Sequence, residues 1–372
     1  MTDRDETSGS GPQGGGAGRT YDALAGRPVH VDAWSLERHE RETSSGFTRK
    51  TTVFVAEGVG HVGRGEDVTY DAEDHDQLTG PPPGLPVGDA TLDAASTALE
   101  SVDLFPAGAP QRPVSRRYRR WAVESALLDL ALRQDGADLG EALGRPPAPV
   151  RFVVSTSLGD PPSTAPVERW LDVDPALEFK VDVTAPLPEG VLEALVGTGR
   201  VRTVDLKAHY GPPTDEQSHR GQPEPDPAFY RALLEAFPAA TFEDPAVTDA
   251  TRPVLEPEVH RLSWDAPIHA VDEFEAMPLA VGRCNVKPSR FGTLERLFDF
   301  LDFADRTGLE RYGGGQFELS VGRGQLHELA SRWYPDGPND VAPAGYNDPE
   351  LDPGLPGSPL APPADPAGFR WD

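Results

Sequence analysis

From about residue 150 to residue 313 the chain alternates short apolar runs with longer helical stretches, and this rhythm limits the folds open to it. The runs are Phe152-Val153-Val154, Leu177 to Val183, Val201 to His209, Thr241-Phe242-Glu243, Leu262-Ser263-Trp264, Cys284 to Lys287 and Leu309 to Gly313. Strands alternating with helices give a parallel sheet, and seven such units in succession predict a closed β/α barrel. The units are compact, so some of the helices must be short. Polar residues recur at the C-terminal ends of the runs: Asp182, Asp205 with Lys207, Glu243, Asp265 and Lys287. In a β/α barrel that end carries the chemistry.

The first third reads differently. Residues 28–38, 48–57 and 59–66 have strand character, with turn signals at Ser44-Ser45-Gly46 and Glu57-Gly58. Leu92 to Val102 reads as a helix, and Arg116 to Arg133 shows apolar residues at helical spacing over a broad face. The expected organisation is a disordered Gly/Ser-rich arm over 1–20, an α+β domain over 21–115, the barrel over 116–345, and a proline-rich segment over 346–372 that returns to the first domain. Phe369 and Trp371 near its end are suited to docking.

The chain has 61 acidic against 34 basic residues, a net charge of −27. So negative a surface repels phosphate backbones and anionic membranes, which argues against nucleic acid or a membrane as partner. Acidity without acidic runs fits a high-salt cytosol, where screening removes the self-repulsion. No run of 18 apolar residues occurs and no leader-like segment opens the chain. Cys284 stands alone, so an intrachain disulfide is excluded and a cytoplasmic location is expected. Association into a homo-oligomer stays open.

Only four of the 34 basic residues are lysines, and three of them, Lys180, Lys207 and Lys287, sit in the apolar barrel runs. Lysine can be tuned into a base, a nucleophile or a compact point charge, whereas arginine cannot be deprotonated. The plainer alternative is buried stems with their heads reaching solvent. Asp205, Glu243 and Asp265 end three successive runs, and hard oxygen donors from separate strands suit Mg²⁺, with Mn²⁺ able to replace it. Any one of them alone would read as a helix cap or a solvated charge.

Several strings resemble the enolase superfamily, nearer its mandelate racemase, muconate-lactonizing and o-succinylbenzoate-synthase branches than enolase itself, over about residues 28–372. They are Ala122 to Leu130, Phe242-Glu243-Asp244-Pro245, Asn285-Val286-Lys287-Pro288-Ser289-Arg290-Phe291-Gly292, Gly313 to Glu318, and Gly63-Arg64-Gly65-Glu66. The resemblance implies a modified TIM barrel of (β/α)7β type with an α+β capping domain. It makes Asp205, Glu243 and Asp265 the metal ligands and Lys287 the sixth-strand lysine. Asp272 is a rival third ligand, but it lies only 15 residues before Lys287, too few for a helix and the next strand.

Two departures stand out. The second-strand Lys-x-Lys of the superfamily is here Lys180-Val181-Asp182, and the third-strand Asp-x-Asn is Asp205-Leu206-Lys207. Residues two apart on a strand share a face, so Lys207 is expected beside Asp205, either as a relocated catalytic lysine or as a buried partner of Asp182.

The implied reaction is Mg²⁺-dependent abstraction of a proton α to the carboxylate of a small carboxylic acid, leading to elimination or cycloisomerisation by a lyase or isomerase. Lys287 would act as base or cation, with Lys207, Lys180 and Asp182 beside it. Substrate contacts are expected from Ser45, Phe47 and Arg49 in the capping loop and from Glu318. Two competing readings are a Schiff-base aldolase or dehydratase and a binding protein that has lost catalysis.

Overall fold

The computed structural model describes residues 18–371 apart from 45, 185, 189, 210–224 and 351. The arm expected over 1–20 therefore lies, up to residue 17, outside the described residues. Beyond it come β1 (Pro28–Val31), β2 (Ala33–Glu42), β3 (Thr48–Gly58), β4 (His61–Asp67) and β5 (Gly88–Thr91). β2, β3 and β4 form an antiparallel meander, and β1 pairs with β5. The β3–β4 turn has Val59 and Gly60 at φ 51° and 76°. Two successive positive φ values match the right-handed twist of a two-residue hairpin.

The helix Ser115–Asp135 lies against this sheet, with Trp121, Leu127, Leu128, Leu130 and Leu132 buried. The contact explains the Gly63-Arg64-Gly65 string. A Cβ on Gly65 would stand 2.0 Å from the Ala122 carbonyl oxygen, and one on Gly63 2.2 Å from that of Ala126. Only glycine lets β4 approach the helix backbone so closely.

The barrel strands are β6 (Val154–Ser157), β7 (Phe179–Asp182), β8 (Val201–Asp205), β9 (Thr241–Glu243), β10 (Leu262–Trp264), β11 (Arg283–Val286) and β12 (Glu310–Gly313). All neighbours are parallel and in chain order. At the two edges, Asn339 bridges Phe152 and Asp340 bridges Gly314, each in parallel, so a two-residue eighth position joins β6 to β12. The expected modified β/α barrel is the fold observed. The crowding shows in short connections such as Val271–Glu275, against the full helices Leu294–Thr307 and Val321–Trp333.

The register sets the interior. Asp182 pairs with Asp205, and Asp205 with Glu243, so side chains at these positions share the inner face at the C-terminal end. At the other end of the chain, Phe369 is buried against Trp121 at 6.0 Å between rings, its amide donates to Asp129 Oδ1 at 2.9 Å, and Trp371 Nε1 donates to Glu328 Oε2 at 2.8 Å. The tail thus docks on the helices Ser115–Asp135 and Val321–Trp333.

Candidate active site

The C-terminal ends of β7 to β11 deliver Lys180, Asp182, Asp205, Lys207, Glu243, Asp265 and Lys287 to one buried cluster. Lys180 is 2% exposed, and its ammonium lies 3.0 Å from Asp205 Oδ2, 3.5 Å from Asp340 Oδ2 and in hydrogen bond with Glu243 Oε1. Lys207 curls back on its own strand. At φ 50° its backbone N–H donates to Asp205 Oδ1 at 3.0 Å, and its Nζ reaches Asp205 Oδ2 at 2.8 Å and Asp182 Oδ1 at 3.2 Å. Lys287 donates to Asp265 Oδ2 at 2.9 Å, while Arg290, one helical turn on, donates to Asp265 Oδ1 at 2.7 Å. Pro288 opens that turn and keeps Lys287 extended, at φ −110° and ψ 101°.

Strained backbone gathers here as well. Lys207, Asp244 (φ 50°) and Phe317 (φ 57°) are all non-glycine residues in the left-handed region just beyond barrel strands. Such conformations persist only where surrounding bonds hold them. Asp244 is held by accepting the backbone N–H groups of Asp265 and Ala266, both at 2.8 Å.

The electrostatics divide the carboxylates. Burial would raise Asp205, but Lys180 and Lys207 hold it well below the usual carboxylate range. Burial would likewise raise Asp265, and Arg290 and Lys287 hold it low. Glu243 goes the other way: burial pushes it up to about 8, because its ammonium is shared with Asp205 and both Asp205 and Asp265 repel its charge. Its Oε2 accepts from Asn285 Nδ2 at 3.1 Å and from the Tyr312 hydroxyl. Burial raises Asp182 against the pull of Lys207. Lys180 is disfavoured by burial, yet Asp205 and Glu243 outweigh that and hold its ammonium well above the ordinary lysine value.

All six oxygens of the expected metal ligands therefore carry a protein donor. The residue types suit a divalent cation, but their arrangement as it stands does not: Lys180 stands between Asp205 and Glu243, and Lys287 with Arg290 covers Asp265. Among the described residues no group of three or more His, Cys, Asp or Glu is disposed to hold a metal ion. Asp272 lies exposed on the short helix Val271–Glu275, whereas Asp265 is buried in the cluster.

The expected substrate contacts fare differently. Ser45 lies outside the described residues. Phe47 is half-buried and packs edge-on against Phe317 at 5.5 Å. Arg49 corrects the sequence reading. It is 1% exposed and donates to the carbonyls of Val68, Thr69, Gln316 and Phe317, so it clamps the capping sheet to the loop after β12 and is spent before any substrate carboxylate could use it. Glu318 is also committed locally, accepting from the Gln316 N–H at 2.8 Å and pairing with Arg323 at 3.3 Å.

Residues the sequence reading left out complete the cluster: Arg290, Asn285, Tyr312, Asp340 and, from the capping domain, Tyr70. Tyr70 lies under the Arg49 guanidinium, 4.8 Å from its ring centre, and burial raises its hydroxyl against the pull of Arg49, Lys207 and Arg290. Asn285 was legible from its two-residue offset from Lys287, and Arg290 from its place one helical turn on. Asp340 carries no local signal. A cavity of about 630 Å³ opens at the opposite end of the barrel, lined by Arg151, Arg202, Arg283, Arg311, Glu310 and Trp333. The arginines and Glu310 sit at or just before strand N-termini, away from the lysines, so the cluster and not the cavity is the candidate for chemistry.

A family model described as "Domain of unknown function (DUF8230) N-terminal domain" matches residues 22–142, and its C-terminal counterpart matches residues 146–348. No curated protein sequence matches the chain. Among solved structures, a mandelate racemase/muconate lactonizing protein from Herpetosiphon aurantiacus is similar at 15% identity and TM-score 0.66, over 92% of this chain and 98% of that one. An enolase-superfamily member from Enterococcus faecalis V583 is similar at 18% and 0.61, over 92% and 94%. A dipeptide epimerase from Methylococcus capsulatus complexed with Mg ion is similar at 18% and 0.60, over 82% and 88%. At these identities the likeness is one of fold. No helix among the described residues is long and apolar enough to cross a membrane.

Proposed function

We propose, for a chain that belongs to the DUF8230 family and carries the enolase-superfamily fold, that it is an enzyme taking a proton from the carbon beside the carboxylate of a small organic acid. The observation that carries this reading is the gathering of three of the chain's four lysines, with their carboxylate partners, at the end of the barrel where such folds do chemistry. The fourth, Lys50, pairs with Asp76 on the capping domain.

Removing such a proton leaves negative charge on the substrate's carboxylate, which must be met by cations already in place. Lys207 and Arg290 supply them. Lys287, once it has given up a proton of its own, takes the substrate's, and Asp265 at 2.9 Å stabilises the ammonium so formed. One base suffices for elimination or cycloisomerisation, so a lyase or isomerase follows. A racemase would need a second base on the opposite face, and Asp182 occupies the second-strand position.

Magnesium, carried by the dipeptide epimerase, would find Asp205, Glu243 and Asp265 here, and it would act as a Lewis acid on a carboxylate oxygen. Those carboxylates are already met by ammonium and guanidinium groups. The same pairing favours a second reading, a carboxylate-binding protein without turnover, since each of the three lysines is held in an ion pair.

Deuterium wash-in at the α-carbon of a panel of small carboxylic acids separates the two. The parent should exchange at least one acid, and Lys287→Arg should slow that exchange by about 10²-fold or more while the fold is kept. Binding without exchange selects the second reading. Trapping by borohydride would instead point to a Schiff-base enzyme.

A further inference from the structure

We propose that the ammonium of Lys180 is the site's built-in cation: it fills the place between Asp205 and Glu243 that a divalent ion would need, so that divalent-metal affinity appears only when this ammonium is removed. An ammonium has three N–H donors, and Lys180 has three carboxylates around it: Asp205 at 3.0 Å, Asp340 at 3.5 Å and Glu243 in hydrogen bond. They come from the neighbouring strand β8, from β9 beyond it and from the two-residue position that joins the sheet edges, so one side chain from β7 reaches past its neighbouring strand. Lys180 itself is 2% exposed and projects from inside the barrel.

The remaining oxygens are taken as well. Asp205 Oδ1 accepts from the Lys207 N–H at 3.0 Å, and Glu243 Oε2 from Asn285 and Tyr312. A magnesium ion needs oxygens at about 2.1 Å in near-octahedral array and cannot share them with an ammonium at hydrogen-bond distance. Removing the ammonium would leave buried Glu243 without its ammonium partner and Asp205 with Lys207 alone, a costly state that a divalent ion relieves.

The inference concerns the same site as the proposed proton transfer but is read by metal binding, so the two can fail separately. Mn²⁺ binding is measured by calorimetry and by the loss of the free-ion spin-resonance signal, in the parent, in Lys180→Met and in Lys180→Met/Asp205→Asn. The methionine variant should bind at least about tenfold more tightly than the parent, as expected for a buried charge left unpaired, and the double variant should lose that gain. A parent that binds Mn²⁺ tightly overturns the proposal without recourse to any variant. A folded Lys180→Met with no gain overturns it too. Loss of α-deuterium exchange with these metal results intact would count against the proton-transfer reading alone.

Discussion

The ammonium of Lys207 lies 3.2 Å from the carboxylate of Asp182 on the adjacent strand. Lys207 reaches this place because its backbone turns left-handed and its side chain folds back over Asp205.

This pairing predicts coupled stabilities. Asp182→Asn and Lys207→Met should each destabilise the protein in urea, the latter by about 3 kcal/mol because it removes the ammonium beside Asp182 and one of the two that hold buried Asp205. The double variant should recover about 1–2 kcal/mol of the sum. Additive losses would mean that the two groups do not act on each other.

Arg49 should behave as a clamp. Arg49→Lys cannot reach carbonyls on both the capping sheet and the loop after β12, so it should lose stability by about 2–4 kcal/mol, nearly as much as Arg49→Met. A lysine variant as stable as the parent, with a weakened substrate affinity, would restore the role of a substrate contact.

His327 is buried on the helix Val321–Trp333, packs 5.5 Å from the Trp371 ring and bonds to the Val341 carbonyl through Nε2. Burial lowers its pKa from 6.5 to about 4. The unfolded chain therefore binds a proton that the folded one refuses between these values. Stability contributed by keeping this ring neutral is complete above pH 6.5, falls as the pH drops toward 4, and amounts to about 3 kcal/mol over that interval. His327→Gln should flatten the acid limb of the stability curve by roughly this amount. A His327 imidazole titrating near 6.5 by NMR would refute it.

The net charge of −27 predicts a salt-dependent fold. Raising KCl from about 0.1 to about 2 M should raise the melting temperature by shortening the screening length between like charges. A melting temperature indifferent to KCl would remove the reading of the composition as adaptation to concentrated salt.

Much of the architecture was legible along the chain because its signals are local. Seven apolar runs spaced by helices point to a parallel sheet; β7 to β12 fall on those runs, and β6 begins at the last residue of the first. Charged residues at strand ends located the cluster, because a strand's period of two fixes which side chains share a face. What the sequence could not determine was which groups would meet. Asp340 joins the site only because the sheet closes through residues 339 and 340, and no local pattern marks that position. Arg49 reads as a free cation in a polar loop, and only the packing of the capping domain on the loop after β12 surrounds it with carbonyls. The same holds for Lys180. Composition marked it as unusual, but its three carboxylates come from segments 25 to 160 residues away, and ion pairs over such separations exist only once the barrel has closed.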